Sequence, residues 1–230
     1  MNDTLFQALT LIVPLVFAIV FHEVAHGYVA KLLGDTTAQE RNRLTLNPLR
    51  HVDPVGTVLL PGMLALAKAP VFGWAKPVPV NQYRLRNPRV GMMLVAAAGP
   101  ATNLVLAALG AVALGWLGQG ITEEPVQGTL RQFAILNAFN FILINVFLAL
   151  FNLLPVPPFD GSHIVEGLLP RALAEHYARL RPFGLVLMLV VLLVLPSVIP
   201  GFDIVGRFVQ PPAEWLTGHY LGLAEAVAGR

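Results

Sequence analysis

From Leu5 to Leu33 the chain is apolar almost without interruption. At 1.5 Å per residue the run is longer than a roughly 30 Å hydrocarbon layer requires. Lipid offers no partner to an open backbone N–H or C=O, so such a run is satisfied as a membrane-spanning helix. Besides Gln7 and Thr10, the exceptions inside it are His22, Glu23, His26 and Lys31, the ones that carry charge or titrate near neutral pH. Lys31 followed by Gly34 reads as the end of the helix, a cation in the last turn and then a C-cap glycine. The other three fall within five residues, and ionisable groups at bilayer depth are costly enough to point to function.

Composition extends the membrane reading to the whole chain. Of 230 residues, 56% are hydrophobic and 12% charged, against about 25% charged in a soluble domain. Further apolar runs cover Val90 to Leu117, Leu130 to Leu154 and Phe183 to Val198. The expected fold is an all-α multi-span membrane protein with about four transmembrane helices. Two smaller features join them. Val55 to Ala69 is apolar but short and interrupted by Pro61-Gly62, which predicts a re-entrant or interfacial hairpin. Val71 to Asn81 has β character, with Pro77 and Pro79 suited only to an edge strand, and predicts a small membrane-associated β element. The whole of 1–230 reads as one membrane domain, with a core over 5–199 and an amphipathic tail on the membrane over 200–230. Asp3 stands where a signal peptide would be basic, so the first helix is expected to be retained. A net charge of +2 gives no reason to expect nucleic acid. The absence of cysteine excludes thiolate ligands, disulfides and cysteine nucleophiles.

Phe21-His22-Glu23-Val24-Ala25-His26 contains H-E-x-x-H. Histidines four apart on a helix share one face, so both imidazoles can reach one ion. Glu23 stands to the side of that face, placed to act on water and not on the metal. Catalytic zinc usually has three protein ligands. The best third candidate is Asp160, which follows a proline-broken run after the third long span. Broken backbone at membrane depth is tolerated where it lines a cavity. Taken alone, Asp160-Gly161 reads more readily as a surface turn.

The pairing of His22-Glu23-Val24-Ala25-His26 with the N-x-x-P-x-P-x-x-D-G run from Asn152 to Gly161 resembles the site-2 protease family of intramembrane zinc metalloproteases. Gly99-Pro100-Ala101-Thr102-Asn103 resembles the family's second core helix. The F-G-W-A-K-P-V-P-V-N stretch resembles its compact subgroup without a PDZ domain. The resemblance covers roughly residues 5–199. It implies Zn2+ held by His22, His26 and Asp160, Glu23 as general base, and Asn152 on the substrate backbone. It implies transmembrane proteins or peptides as substrates, within a lipid bilayer. Ser162 departs from the second glycine of many relatives, which leaves the ligand assignment intact. His163 reads as an interfacial histidine or as a partner to the site. Asn103, Asn137, Asn140 and Asn145 are expected to hydrogen-bond between helices.

Charge predicts the orientation. The loop from Asp35 to Pro88 carries seven basic residues, the loop from Gly118 to Gly128 none, and the stretch before the fourth span Arg171, Arg179 and Arg181. The positive-inside rule puts the first and third on the cytoplasmic side, in a prokaryotic cytoplasmic membrane, with the metal toward that side. The alternatives are a transporter or channel with a metal or proton site, and a membrane metalloprotease whose third ligand is a later glutamate such as Glu166.

Overall fold

The computed structural model describes residues 3–66, 73–120 and 128–229. Helix α1 (Asp3–Leu32) contains the first apolar run. The following loop holds α2 (Thr37–Glu40), a 3-10 turn (Pro48–His51) and a π-helical stretch (Pro54–Leu59) that continues into α3 (Leu60–Leu66). Two long helices follow, α4 (Pro88–Gly118) and α5 (Leu130–Asn152). Beyond them lie α6 (Asp160–Leu168), α7 (Arg171–Ala178), α8 (Gly184–Leu189), α9 (Leu195–Val198) and α10 (Gln210–Ala228). Four helical stretches are long and apolar enough to cross a membrane: Thr4–Leu32, Pro88–Gly118, Leu130–Asn152 and Arg171–Val198. The expectation of about four transmembrane helices holds.

Local chemistry fixes the element ends. Gly34, at φ +111°, ends α1 as the carbonyl of Ala30 turns to accept from the Asp35 amide at 2.9 Å. The Asn87 side chain caps α4 by accepting from the Val90 amide, with Pro88 in the first turn. Thr129 caps α5 through the Gln132 amide.

Helix α4 is the hub, packed against α1, α5, α6 and α10. Its buried face is built from Gly91, Ala96, Gly99, Ala107, Gly110, Ala111 and Gly115, among others. Small side chains let helix backbones approach closely where lipid removes the usual hydrophobic drive for association. One apolar cluster joins Ala107 and Ala111 to Ile142, Val146 and Ala224. A second joins Leu154 and Phe159 to Met188 and Val209 and fixes the turn before α6.

The expected β element is corrected by the structure: no strand is present among the described residues, and Val71 lies outside them. Residues 73–81 are extended without a partner strand. Their amides donate instead to Gly56 O (from Trp74, 3.1 Å), His51 O (from Lys76, 2.8 Å), the Glu23 carboxylate (from Val78, 2.8 Å) and the Asp35 carboxylate (from Asn81, 2.6 Å). Pro77 and Pro79 have no amide to give. Apolar alternation specified extended backbone correctly, but a ladder needs a second strand, and the surrounding loop and α1 take that place.

The stretch read as interrupted at Pro61-Gly62 is helical through Leu66, and residues 67–69 lie outside the described ones, as do Lys68, Glu123 and Glu124. The stretch read as a tail forms a π-helical turn (Val205–Val209) and α10, which is packed against α4 and α5. There the Tyr220 hydroxyl donates to Leu104 O at 3.0 Å.

Candidate metal centre

The site forms where α1, α4 and the start of α6 meet. His22 and His26 are both buried, and their rings meet edge-on with centroids 4.6 Å apart. Asp160 opens α6, and its Oδ2 lies 3.1 Å from His22 Nε2 and 3.3 Å from His26 Nε2. One ligand atom from each of the three lies within 4.8 Å of the others. His22 is about 27 Å along α1 from Thr4 and about 15 Å from Leu32, so the cluster sits toward the Leu32 end.

The rings are oriented from behind. His26 Nδ1 lies 2.7 Å from Val95 O, a group that can only accept, so Nδ1 carries the proton. His22 Nδ1 lies 2.5 Å from Asn103 Oδ1. The Asn103 amide cannot be flipped, because its Nδ2 donates to Asn145 Oδ1 at 2.7 Å and to Ala18 O at 3.3 Å. His22 Nδ1 therefore donates as well. In the neutral rings both Nε2 lone pairs then face Asp160.

Three acceptors aimed at one point call for a cation. Asp160 brings a carboxylate oxygen to the same point as the two Nε2 lone pairs. Its buried Oδ2 has no hydrogen-bond partner. Ligands held tetrahedrally at zinc–nitrogen and zinc–oxygen distances of about 2.0–2.1 Å stand about 3.3–3.4 Å apart, close to the observed separations. Gly99 keeps the space clear: a Cβ there would lie 2.5 Å from His22 Cε1 and from His26 Nε2. Gly161 does the same for the backbone, since a Cβ would meet Leu153 O at 2.2 Å. Only glycine lets the 153–154 turn lie against the first turn of α6 and bring Asp160 inward. The residues present fit a His-His-Asp zinc site.

Glu23 is not among the three converging groups; it accepts the Val78 amide. Asn152 ends α5 and donates to Leu148 O of its own helix at 2.9 Å. His163 lies one turn past Asp160, with Nδ1 buried and unpartnered. Burial and the nearby Arg181 guanidinium hold its pKa below the usual histidine value. Glu166, the rival ligand, is instead ion-paired with Arg181. The asparagines are divided: Asn103 reaches α5 and α1, Asn140 reaches Thr10 O on α1, and Asn137 donates within α5 to Phe133 O. The supporting role of Asn103 and the spacing role of Gly99 were not read from the sequence. Their signal is a glycine and an asparagine four apart on one face of an apolar helix.

A helical membrane bundle with two histidines and an aspartate on one buried point, and a glutamate beside the first histidine, has the makeup of a membrane-bound metalloprotease. The chain belongs to Peptidase family M50: that family's model matches residues 127–195, and relatives match over three quarters of the chain. The zinc metalloprotease YwhC of Bacillus subtilis (strain 168) is 39% identical over 183 residues, 78% of this chain and 78% of that protein. The zinc metalloprotease Rip2 of Mycolicibacterium smegmatis is 30% identical over 179 residues, 76% of this chain and 63% of that protein. Rip2 of Mycobacterium tuberculosis (strain H37Rv) is 31% identical over 172 residues, 75% of this chain and 62% of that protein. No solved structure matches the chain. The protein is thus an integral membrane zinc metalloprotease, and the transporter alternative falls away.

Proposed function

We propose that this protease hydrolyses peptide bonds in or near transmembrane segments of membrane-protein substrates, with its active site toward the cytoplasmic face. The observation that carries the reading is the convergence of His22, His26 and Asp160 on one buried point against α1 and α4, two helices of membrane-spanning length. A soluble substrate gives no reason to place the site there.

His22, His26 and Asp160 would hold zinc, which when bound would supply a Lewis acid and lower the pKa of water. Glu23 accepts a proton as water adds to the carbonyl carbon, then returns it to the amine as the C–N bond breaks. A transmembrane helix must unwind before its peptide bonds are open to attack. Residues 73–81 are extended beside Glu23 and accept the unwound chain alongside them. Asn152 assists in holding that backbone.

The Glu23→Gln variant keeps the shape and removes the base. It should retain zinc at the wild-type ratio and cut a detergent-solubilised transmembrane reporter at least about 10²-fold more slowly. Cleavage at the wild-type rate would sink the role given to Glu23.

A further inference from the structure

Beside the metal centre lies a cavity of about 520 Å³ whose lining includes Thr37, Arg41, Asn81, Gln82, His163 and Arg181. No acidic residue lines it. Its polar groups are unevenly satisfied. Arg181 spends one terminal nitrogen on Glu166, while its buried Nε has no partner. His163 Nδ1 is buried and equally unpartnered. The Arg41 guanidinium and the Gln82 amide make no hydrogen bond among the described residues. An adjoining cavity of about 300 Å³ shares Gln82, His163 and Arg181 and adds Arg89, Arg171, Glu166 and Glu175. Arg89 also leaves a buried Nε without a partner. Unpaired buried polar atoms are uncommon and costly, and a cavity lined by Arg41, Arg181 and His163 with no acidic residue suits an anion.

The position of the cavity tells which anion. Val78 donates to Glu23, and Pro79, Val80 and Asn81 line the cavity. At about 3.3 Å per residue, the cavity wall begins within about 3–10 Å of the residue bonded to Glu23. His163 also lies within electrostatic reach of Asp160 and His26. A chain laid along residues 73–81 delivers a side chain into this space within a few positions of the cleaved bond.

We infer that this cavity is a specificity pocket for an acidic side chain, Asp or Glu, of the substrate close to the scissile bond. The inference rests on the proposed substrate path, and binding is measured beside cleavage so that the two can fail separately. The zinc-loaded, full-length protein in detergent is given transmembrane reporters with Asp, Ala or Lys moved through the positions flanking the cleaved bond. At one position Asp raises kcat/KM about tenfold over Ala, and Lys lowers it. Arg41 is exposed and unpartnered, so Arg41→Glu folds normally; it abolishes the Asp advantage over Ala and transfers it to Lys. Zinc-loaded Glu23→Gln shows the same preference in fluorescence anisotropy with labelled Asp and Ala peptides. No preference for Asp at any position, in cleavage or in binding, overturns the inference. So does a preference that Arg41→Glu leaves untouched. Phosphatidylglycerol that speeds all three reporters equally, through Arg41, overturns it in favour of a lipid headgroup. If the reporters are not cut but Asp peptides still bind preferentially, the membrane-substrate reading fails and the pocket stands.

Discussion

Two residues of α4 that are not among the candidate ligands hold the histidines in place. Gly99 faces both imidazoles, and a single methyl group there would occupy the space between His22 and His26. Alanine is about 1 kcal/mol better than glycine inside a helix, so Gly99→Ala should lose zinc and activity without weakening α4. Metal analysis beside circular dichroism checks this, and a zinc-replete Gly99→Ala protein would refute the packing argument. Asn103 is fully buried between His22, Ala18 O and Asn145. Asn103→Leu removes the acceptor that fixes the His22 tautomer, and zinc affinity should fall about 10–100-fold in chelator competition. The candidate ligands were largely legible in the sequence. A four-residue spacing placed His22 and His26 on one face, and the paired motifs pointed to Asp160. Their supports were not legible, because which α4 residue meets His22 depends on how α4 is rotated against α1, and no local pattern carries that rotation.

At the scale of the element, the extended segment 73–81 is held by a clasp whose centre is Asp35. This carboxylate is fully buried and accepts the Thr37 amide at 3.0 Å, the Thr37 hydroxyl and the Asn81 amide. Burial raises its pKa, but hydrogen bonds from Thr37 and Asn81 more than offset that, and the folded carboxyl lies below its ordinary value. A lowered folded pKa contributes stability that is complete above the unfolded value of about 3.9 and is lost as pH falls through the folded one. Hydrogen exchange at Asn81 should therefore quicken below about pH 4, while the α4–α5 core keeps its protection. Asp35→Asn should mimic this at neutral pH, because the amide NH2 faces a donor and one hydrogen bond is left unmade, at about 1–3 kcal/mol. Unchanged exchange at Asn81 in Asp35→Asn would show that something else holds the segment. Asp35 lay in a stretch legible only as a polar loop, since its partner Asn81 is far away in sequence. The same loop explains the missing strand: sequence alternation reports a preference for extended backbone, and partners are assigned by the tertiary fold.

Across the whole molecule, α4 carries two separate jobs at its two ends. Gly99 serves the metal centre, and Gly115 serves the contact with α10, where a Cβ would lie 2.5 Å from Ala224 O and 2.6 Å from Val227 Cβ. Sixteen residues at 1.5 Å place the two about 24 Å apart, well beyond the range at which substitutions usually couple. The chain after Pro200 was legible as amphipathic but not as a partner of α4, because the glycine and alanine face that receives it looks like any small-residue stripe until both helices are in place. Gly115→Leu should push α10 off that face and cost about 1–3 kcal/mol, the usual cost of overpacking. The zinc content of the folded fraction should stay at the wild-type ratio, since no ligand or ligand support lies on α10. A lower Tm in detergent with unchanged bound zinc is the expected pair of results. Loss of zinc in parallel with Tm would mean that α10 holds the α1–α4 contact as well, and that the bundle and the metal centre are one cooperative unit.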